Sequence, residues 1–368
     1  LGRLLARSAR HTEGQQRPPA PTPRDPGTVT SRRGVRRLRC TATVLCLAFG
    51  ASALAGCGGR QSIVAPHSKQ TSVIAELWWW MLGAATIVFL GTVGLLGVAF
   101  LRRRTSGLPV FGENERFTSG LVIMFGIVIP IVVLLVLFGA SDIYAIRYSQ
   151  APAARSTKLT VDIVGRQWWW EVSYPGTQAV TANEVHIPTG TRVQVVATTG
   201  DVIHSLWVPQ LARKIDMIPG YENRILFDTP TAGRYLGQCS EFCGLEHARM
   251  RLTVVAEPPS AFRTWLANMA KPAAIPARSR AAEQLFMSRG CGGCHELRGT
   301  AAAGRVGPDL THLASRSTLA AVTIPNTPRK LAEWIQDPQA IKPGNHMPDL
   351  GLSSSEAREI ASFLEELR

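Results

Sequence analysis

Two long apolar stretches, a block of alternating positions and a helical tail follow one another along the chain. Residues 77–101 and 117–141 are each 25 residues without a charge on any side chain. At about 1.5 Å per residue each covers roughly 37 Å, enough for a hydrocarbon core of about 30 Å with some tilt. Trp78, Trp79 and Trp80 stand at one end of the first run, where an interfacial aromatic belt is expected. Pro130 falls inside the second and is expected to kink it rather than abolish it. Arg102, Arg103, Arg104 and Arg116 crowd the connection, so the positive-inside rule puts that loop in the cytoplasm. The pattern predicts a two-helix hairpin in the membrane, with everything after Asp142 on the extracytoplasmic side.

Between 156 and 256 the period drops to two. Short strands are expected at 159–164, 192–196, 224–228 and 250–255, separated by turns at Pro175-Gly176, Pro188-Thr189-Gly190 and Pro219-Gly220. About 100 residues of such strands predict a β-sandwich or barrel. Pro258-Pro259 ends it, and 259–280, a helix around Trp265 followed by a Pro/Ala/Arg stretch, reads as a linker. Residues 281–368 are helical at 281–289, 328–337 and 354–368. The last of these starts in a Ser-rich cap with Glu356 and carries Ile360, Phe363, Leu364 and Leu367 on one face. The expected division is a leader over 1–56, a hairpin region over 57–150, a β domain over 151–258, the linker, and a helical domain over 281–368.

The charge balance first points elsewhere. In 368 residues there are 40 Lys+Arg against 26 Asp+Glu, a net charge of +14, which would suit a nucleic-acid binder. Ten Arg and two acids lie in residues 1–56, however, so +8 of the excess belongs there. No nucleic-acid partner is expected. Seven cysteines are too sparse for a disulfide-framework miniprotein. Residues 1–30, rich in Arg, Pro, Gly and Thr, read as disordered or as sequence upstream of the true start. Arg32, Arg33, Arg36, Arg37 and Arg39 followed by the uncharged stretch 40–59 make a secretory signal. Its end, Leu54-Ala55-Gly56-Cys57, resembles the lipobox of bacterial lipoproteins, which implies acylation of Cys57. An uncleaved signal or an ordinary membrane helix are the alternatives. Loss of the leader would remove Cys40 and Cys46 and leave five cysteines.

Four of those five fall in two clusters. Cys291-Gly292-Gly293-Cys294-His295 is the C-x-x-C-H attachment motif of a c-type haem. The two thiols can each form a thioether with one porphyrin, and the adjacent His reaches the iron. A redox disulfide or half a zinc site would not need that His. The second axial ligand is expected to be Met347, in a Met-Pro step before the last helix, with His346 as the competing candidate. Segment 291–368 resembles a class I cytochrome c, and Gly307-Pro308-Asp309-Leu310 matches that family's haem-proximal loop. The resemblance implies an all-α domain with Cys291 and Cys294 as covalent anchors and His295 and Met347 on the iron.

The second cluster, Cys239-Ser240-Glu241-Phe242-Cys243-Gly244-Leu245-Glu246-His247-Ala248-Arg249-Met250, offers two thiolates, an imidazole and a thioether on one loop between strands. Soft sulfur with imidazole selects copper or zinc over hard cations. A blue-copper site needs one Cys, so the second points to two bridging thiolates between two coppers, with His204 upstream as a further ligand. A disulfide between Cys239 and Cys243 and a zinc site stay open on spacing alone.

With His204-Ser205-Leu206-Trp207-Val208-Pro209 upstream, this loop is similar to the CuA site of cytochrome c oxidase subunit II. The match spans roughly 70–256, hairpin included. The resemblance implies a cupredoxin-like Greek-key barrel in which Cys239 and Cys243 bridge two coppers. His204 and His247 would be terminal ligands, with Met250 and the Glu241 carbonyl as weak ones. The Glu241 side chain would reach a Mg²⁺ at the interface with the catalytic subunit. Asp216 lies in another matching segment. Gly165-Arg166-Gln167-Trp168-Trp169-Trp170 matches the family's aromatic segment, which implies that electrons enter at Trp168. Trp169 and Trp170 read as core or edge residues, and His67, His186 and His312 as core or surface histidines.

Ten basic and ten acidic residues in 151–258 leave the copper domain without net charge, so long-range steering of a basic cytochrome would be weak. Tethering the haem domain supplies high effective concentration instead. The expected reading is a subunit II with a fused cytochrome c, in a caa-type haem–copper oxidase of the bacterial cytoplasmic membrane. It would pass electrons from a donor, such as a quinol–cytochrome c oxidoreductase or a small cytochrome, through haem and CuA to subunit I. No His lies in the apolar runs, so oxygen reduction and proton translocation belong to that partner. The alternatives are the electron-input subunit of a CuA-type nitric oxide reductase and a membrane-anchored copper-binding protein.

Overall fold

The computed structural model describes residues 59–104, 115–141, 143 and 157–368. The leader over 1–56, the lipidation candidate Cys57 and the expected start of the β domain at 151 lie outside the described residues.

The first apolar run forms helix α1, Lys69–Arg104. Its N-terminal turn is tied to the β domain, where Ser68 Oγ donates to the Leu211 carbonyl at 2.6 Å and Thr71 Oγ1 to the Gln210 carbonyl at 3.0 Å. The second run is α2 (Glu115–Ile123), a π-helical turn Met124–Val128, and α3 (Ile129–Ala140). The π turn answers Pro130, which lacks an N–H and whose ring crowds the carbonyl four residues back. The Ile129 N–H reaches Met124 instead, widening the helix by one residue where the proline needs room. Both spans are long and apolar enough to cross a membrane. Side chains such as Leu95 and Phe138 stand mostly exposed along them, as lipid-facing residues would.

Ten strands build the middle of the chain as two five-stranded sheets. One has the order β3 (Val180–Ala182), β2 (Trp169–Ser173), β1 (Leu159–Arg166), β5 (Val193–Thr199), β8 (Asn223–Phe227). The other runs β4 (Glu184–Pro188), β10 (Arg251–Glu257), β9 (Gly233–Cys239), β6 (His204–Trp207), β7 (Ile215–Met217). Parallel pairing of β1 with β5 and of β10 with β4, among otherwise antiparallel neighbours, gives a cupredoxin-like Greek-key arrangement of two curled sheets. Alternation along β1 turns Val161 and Ile163 inward, and Val195, Leu206, Ile225, Phe227, Leu252 and Val254 complete the core between the sheets.

The stretch read as a linker, 259–280, is only partly one. Helix α4, Pro259–Met269, buries Phe262 and Met269 in the β-domain core, and Trp265 stacks on His186 at 3.9 Å with the rings 7° apart. Two apolar residues and a Trp on one face give this helix a partner, so the connecting segment shortens to about Ala270–Ser279.

The C-terminal domain contains α5 (Arg280–Ser288), α6 (Pro328–Gln336), α7 (Pro338–Ile341) and α8 (Ser354–Leu364). The expected cap of α8 is a reciprocal capping box between Ser353 and Glu356. Its apolar face, with Ile360, Phe363 and Leu364, closes a separate core with Phe286, Leu331 and Ile335. A two-stranded ribbon, β11 (Thr318–Leu319) with β12 (Ile324–Pro325), adds to the expected helices.

Candidate metal and cofactor sites

The first site is assembled by strand register. In the second sheet β6 lies between β9 and β7, with Leu206 opposite Cys239 and His204 opposite Met217. The loop from β9 to β10 is pinned at its base by the Cys239 N–H to the Met250 carbonyl, 2.9 Å, and by the Ser240 N–H to the Ser205 carbonyl, 2.9 Å. These bonds bring every donor expected from sequence to one place. Cys239 Sγ and Cys243 Sγ are 3.8 Å apart. Each sulfur has its own imidazole, His204 Nδ1 at 3.8 Å from Cys239 and His247 Nδ1 at 3.6 Å from Cys243. Met250 Sδ is 3.8 Å from Cys243 Sγ, and the Glu241 carbonyl 3.2 Å from Cys239 Sγ.

This donor set fits a soft metal, and the pairing of one sulfur with one imidazole on each side fits two ions better than one. Cys239 and Cys243 are separate thiols, not a disulfide. The hydrogen bond between the two sulfurs holds Cys239 below the ordinary thiol range, and Cys239 together with burial pushes Cys243 up. Burial disfavours charge on His204, but Asp201 and Cys239 outweigh it and raise the imidazole to about 9. Asp201 Oδ1 accepts from His204 Nε2 at 2.8 Å, which leaves Nδ1 toward the sulfurs. Gly165 passes so close that a Cβ there would sit 2.8 Å from the His204 ring. Asp216 stands on the neighbouring strand and accepts from the Ser205 hydroxyl at 2.8 Å.

Trp168 is a roof over this loop. Its Nε1–H donates to the Cys243 carbonyl at 2.9 Å, and Gln167 Nε2 donates to the same oxygen at 2.8 Å. The indole is only 6% exposed. Trp170 is fully buried beside His204, as a core residue.

The second site lies in the helical domain. Cys291 opens a short 3-10 turn, Cys291–Gly293, after α5, and the His295 N–H returns to the Cys291 carbonyl at 3.0 Å. His295 Nδ1–H donates to the Pro308 carbonyl at 2.7 Å, which leaves Nε2 free to ligate. Burial lowers this imidazole from its ordinary value, which favours the neutral form that ligates a metal. A cavity of about 540 Å³ is lined by Cys291, Cys294, His295, Leu331, Ile335 and Met347. Met347 is set by two bonds, its N–H to Asn345 Oδ1 at 2.8 Å and its carbonyl from Gln339 Nε2 at 3.0 Å. Arg316, buried against the cavity, donates to the Asp309 carbonyl but leaves Nε without a partner among the described residues. An apolar chamber with two thiols, a His, a Met and a buried guanidinium whose Nε lacks a partner among the described residues fits a porphyrin carrying carboxylates.

The competing ligand His346 does something else: its ring lies 5.1 Å from that of Trp168. The cavity continues to Gln167, Trp168 and Trp169, so the helical domain opens toward the roof of the first site. Of the other histidines, His67 packs on Tyr235 and His312 Nε2 bonds to the Lys271 carbonyl at 3.0 Å. Gln167 belongs to the aromatic segment already singled out in the sequence, whereas spacing does not signal Asp201, which reaches His204 only through folding.

Residues 177–257 match the family described as cytochrome C oxidase subunit II, periplasmic domain, and residues 279–368 match the cytochrome c family. A cytochrome c oxidase subunit 2 from Alkalihalophilus pseudofirmus is 28% identical over 88% of this chain and 96% of its own length. One from Bacillus subtilis is 30% identical over 66% of this chain and 73% of its own. The solved periplasmic domain of subunit II of cytochrome oxidase from Bradyrhizobium japonicum is 29% identical, covering 33% of this chain and 96% of that one, with a TM-score of 0.31.

Proposed function

The chain belongs to the cytochrome c oxidase subunit II family, with a cytochrome c domain at its C-terminal end, and from that premise we propose how it carries electrons in a haem–copper oxidase. Cys239, Cys243, His204 and His247 would hold a binuclear copper centre, with Met250 and the Glu241 carbonyl as its weaker donors. Cys291 and Cys294 would anchor a haem c covalently, and His295 and Met347 would be the ligands to its iron. When bound, these groups supply reversible one-electron redox chemistry.

The protein's own side chains orient and insulate. Asp201 fixes the His204 tautomer and the Pro308 carbonyl fixes that of His295. Trp168 ties its indole to the Cys243 carbonyl and is where electrons enter the copper domain. Electrons pass from a donor, a quinol–cytochrome c oxidoreductase or a small cytochrome, to the helical domain. From there they go to the β domain and to subunit I, where oxygen is reduced to water with proton translocation. The exposed Glu241 side chain reaches a Mg²⁺ at that subunit interface. Both spans, α1 and α2–α3, cross the cytoplasmic membrane, the two folded domains lie outside it, and Cys57 is lipidated. The functional boundaries are 57–150, 151–258 and 281–368, with α4 serving the copper domain.

The observation that carries this reading is the paired arrangement of the two sulfurs, each with its own imidazole at 3.8 and 3.6 Å. The test is to isolate the chain with its native partners from membranes and supply a reduced small cytochrome. Oxygen consumption with water as product is expected. Nitric oxide consumption without oxygen reduction would assign the chain to a nitric oxide reductase, and a chain isolated alone with copper but no haem would make it a copper-binding protein.

A further inference from the structure

Lys342 follows α7 in the cytochrome domain and is only 3% exposed. Its Nζ donates to the Trp168 carbonyl at 2.7 Å and to the Arg249 carbonyl at 3.2 Å. Both acceptors belong to the other domain: one to the residue roofing the sulfur cluster, the other to the residue before Met250. The contact is reciprocal, since Arg249 Nη1 donates to the Ile341 carbonyl at 3.1 Å. Lysine is almost never fully buried unless its ammonium is paired. A lysine placed only to fill space would be better replaced by methionine, so this one is explained by the carbonyls it binds. Two residues on, a Cβ at Gly344 would lie 2.8 Å from the Leu245 side chain, so the turn leading to Met347 rests on the 239–250 loop. His346 completes the contact over Trp168.

We propose that Lys342 is a positioning residue for electron transfer, latching the cytochrome domain onto the copper domain with its Met347 turn against Trp168. The inference rests on the assignment of the two sites above. The contact covers Trp168 with the chain's own cytochrome domain, in keeping with the electron route proposed above. Other bonds hold the domain bodies together farther off: the Ser317 N–H donates to Glu184 at 2.9 Å, and Arg298 donates to the Gln178 carbonyl. Loss of Lys342 therefore loosens one edge rather than releasing the domain.

The test uses the full chain in its purified oxidase complex. Lys342→Met keeps the stem and removes the donors. Haem-to-copper electron transfer should slow about tenfold or more, as loss of two charge-assisted hydrogen bonds implies. Copper EPR and haem spectra should stay unchanged, and hydrogen exchange should quicken in peptides over 167–169 and 247–250. Lys342→Arg, still a donor, should recover part of the rate and the protection. Transfer at the wild-type rate in Lys342→Met would overturn the proposal. So would slow transfer with an altered copper or haem spectrum, because the lysine would then be building a site. A wild-type complex lacking either cofactor signal would instead defeat the site assignment, and this proposal would fall with it.

Discussion

Gly307 has no room for a side chain, because a Cβ there would overlap the ring of His295. Its own N–H holds the Cys294 carbonyl at 2.8 Å, so the glycine presses the loop onto the histidine. Gly307→Ala should destabilise the cytochrome domain by about 1–3 kcal/mol through overpacking and weaken the low-spin haem spectrum. An unchanged melting temperature and spectrum would show that the loop yields freely. At the other site, Asp201→Asn replaces the acceptor of His204 with a neutral one. Copper affinity should fall by about 10–100-fold, read by competition with a chelator, and equal affinity would deny Asp201 its orienting role. Most of the candidate donors were legible as candidates because thiol, imidazole and thioether spacing is written along one strand-to-strand loop and one C-x-x-C-H, with His204 and Met347 added from elsewhere in the chain. Asp201 and Lys342 were not, since a carboxylate in a turn and a lysine after a short helix acquire meaning only from what folds against them.

At the scale of elements, periodicity located four of the ten strands, β1, β5, β8 and β10, together with both apolar spans and the capped last helix; the other strands of the two sheets went unread. It placed the helix around Trp265 but not its partner, because a helix flanked by prolines and followed by a Pro/Ala/Arg stretch looks like a connector until its apolar face meets the sheet. Phe262 and Trp265 pack with Tyr174, at ring distances of 6.1 and 5.2 Å. A copper-domain fragment ending at 258 should therefore denature more easily than one ending at 272. In the longer fragment Phe262→Ala should cost about 3–5 kcal/mol. Equal denaturation midpoints for the two fragments would remove α4 from the core. The π-helical turn before Pro130 was likewise beyond sequence reading, which sees the missing N–H but not how the helix re-routes its bonds.

For the whole molecule, charge balance argued that the cytochrome needs a tether, and the fold adds a polar seam between the domains. Glu184, almost fully buried, accepts from the Ser317 N–H and is paired with Arg234 and His186. Burial alone would raise its carboxyl, but the bonds from His186 and Ser317 and the charge of Arg234 bring it down to about 2. His186 moves the other way, raised by Glu184 and Glu257 despite its own burial. Glu184 contributes stability that is complete above its ordinary value of 4.5 and lost as pH falls toward 2. His186 contributes below its ordinary value of 6.5, and that part is lost as pH rises through its raised folded value. The seam should thus be firmest between these limits, seen as maximal exchange protection around Ser317, with Glu184→Gln flattening the acid side. A profile unaffected by that substitution would place the acid sensitivity elsewhere.

The central claim is that one chain carries a binuclear copper site and a covalent haem facing each other across Trp168. Its most direct test is metal analysis with EPR and optical spectroscopy on the purified full-length chain. Two coppers per haem, with a mixed-valence copper signal whose hyperfine lines show an electron shared between two nuclei, is the result expected. One copper per haem, or zinc with no such signal, would contradict it and leave the 239–250 loop without the chemistry its donors are arranged to support.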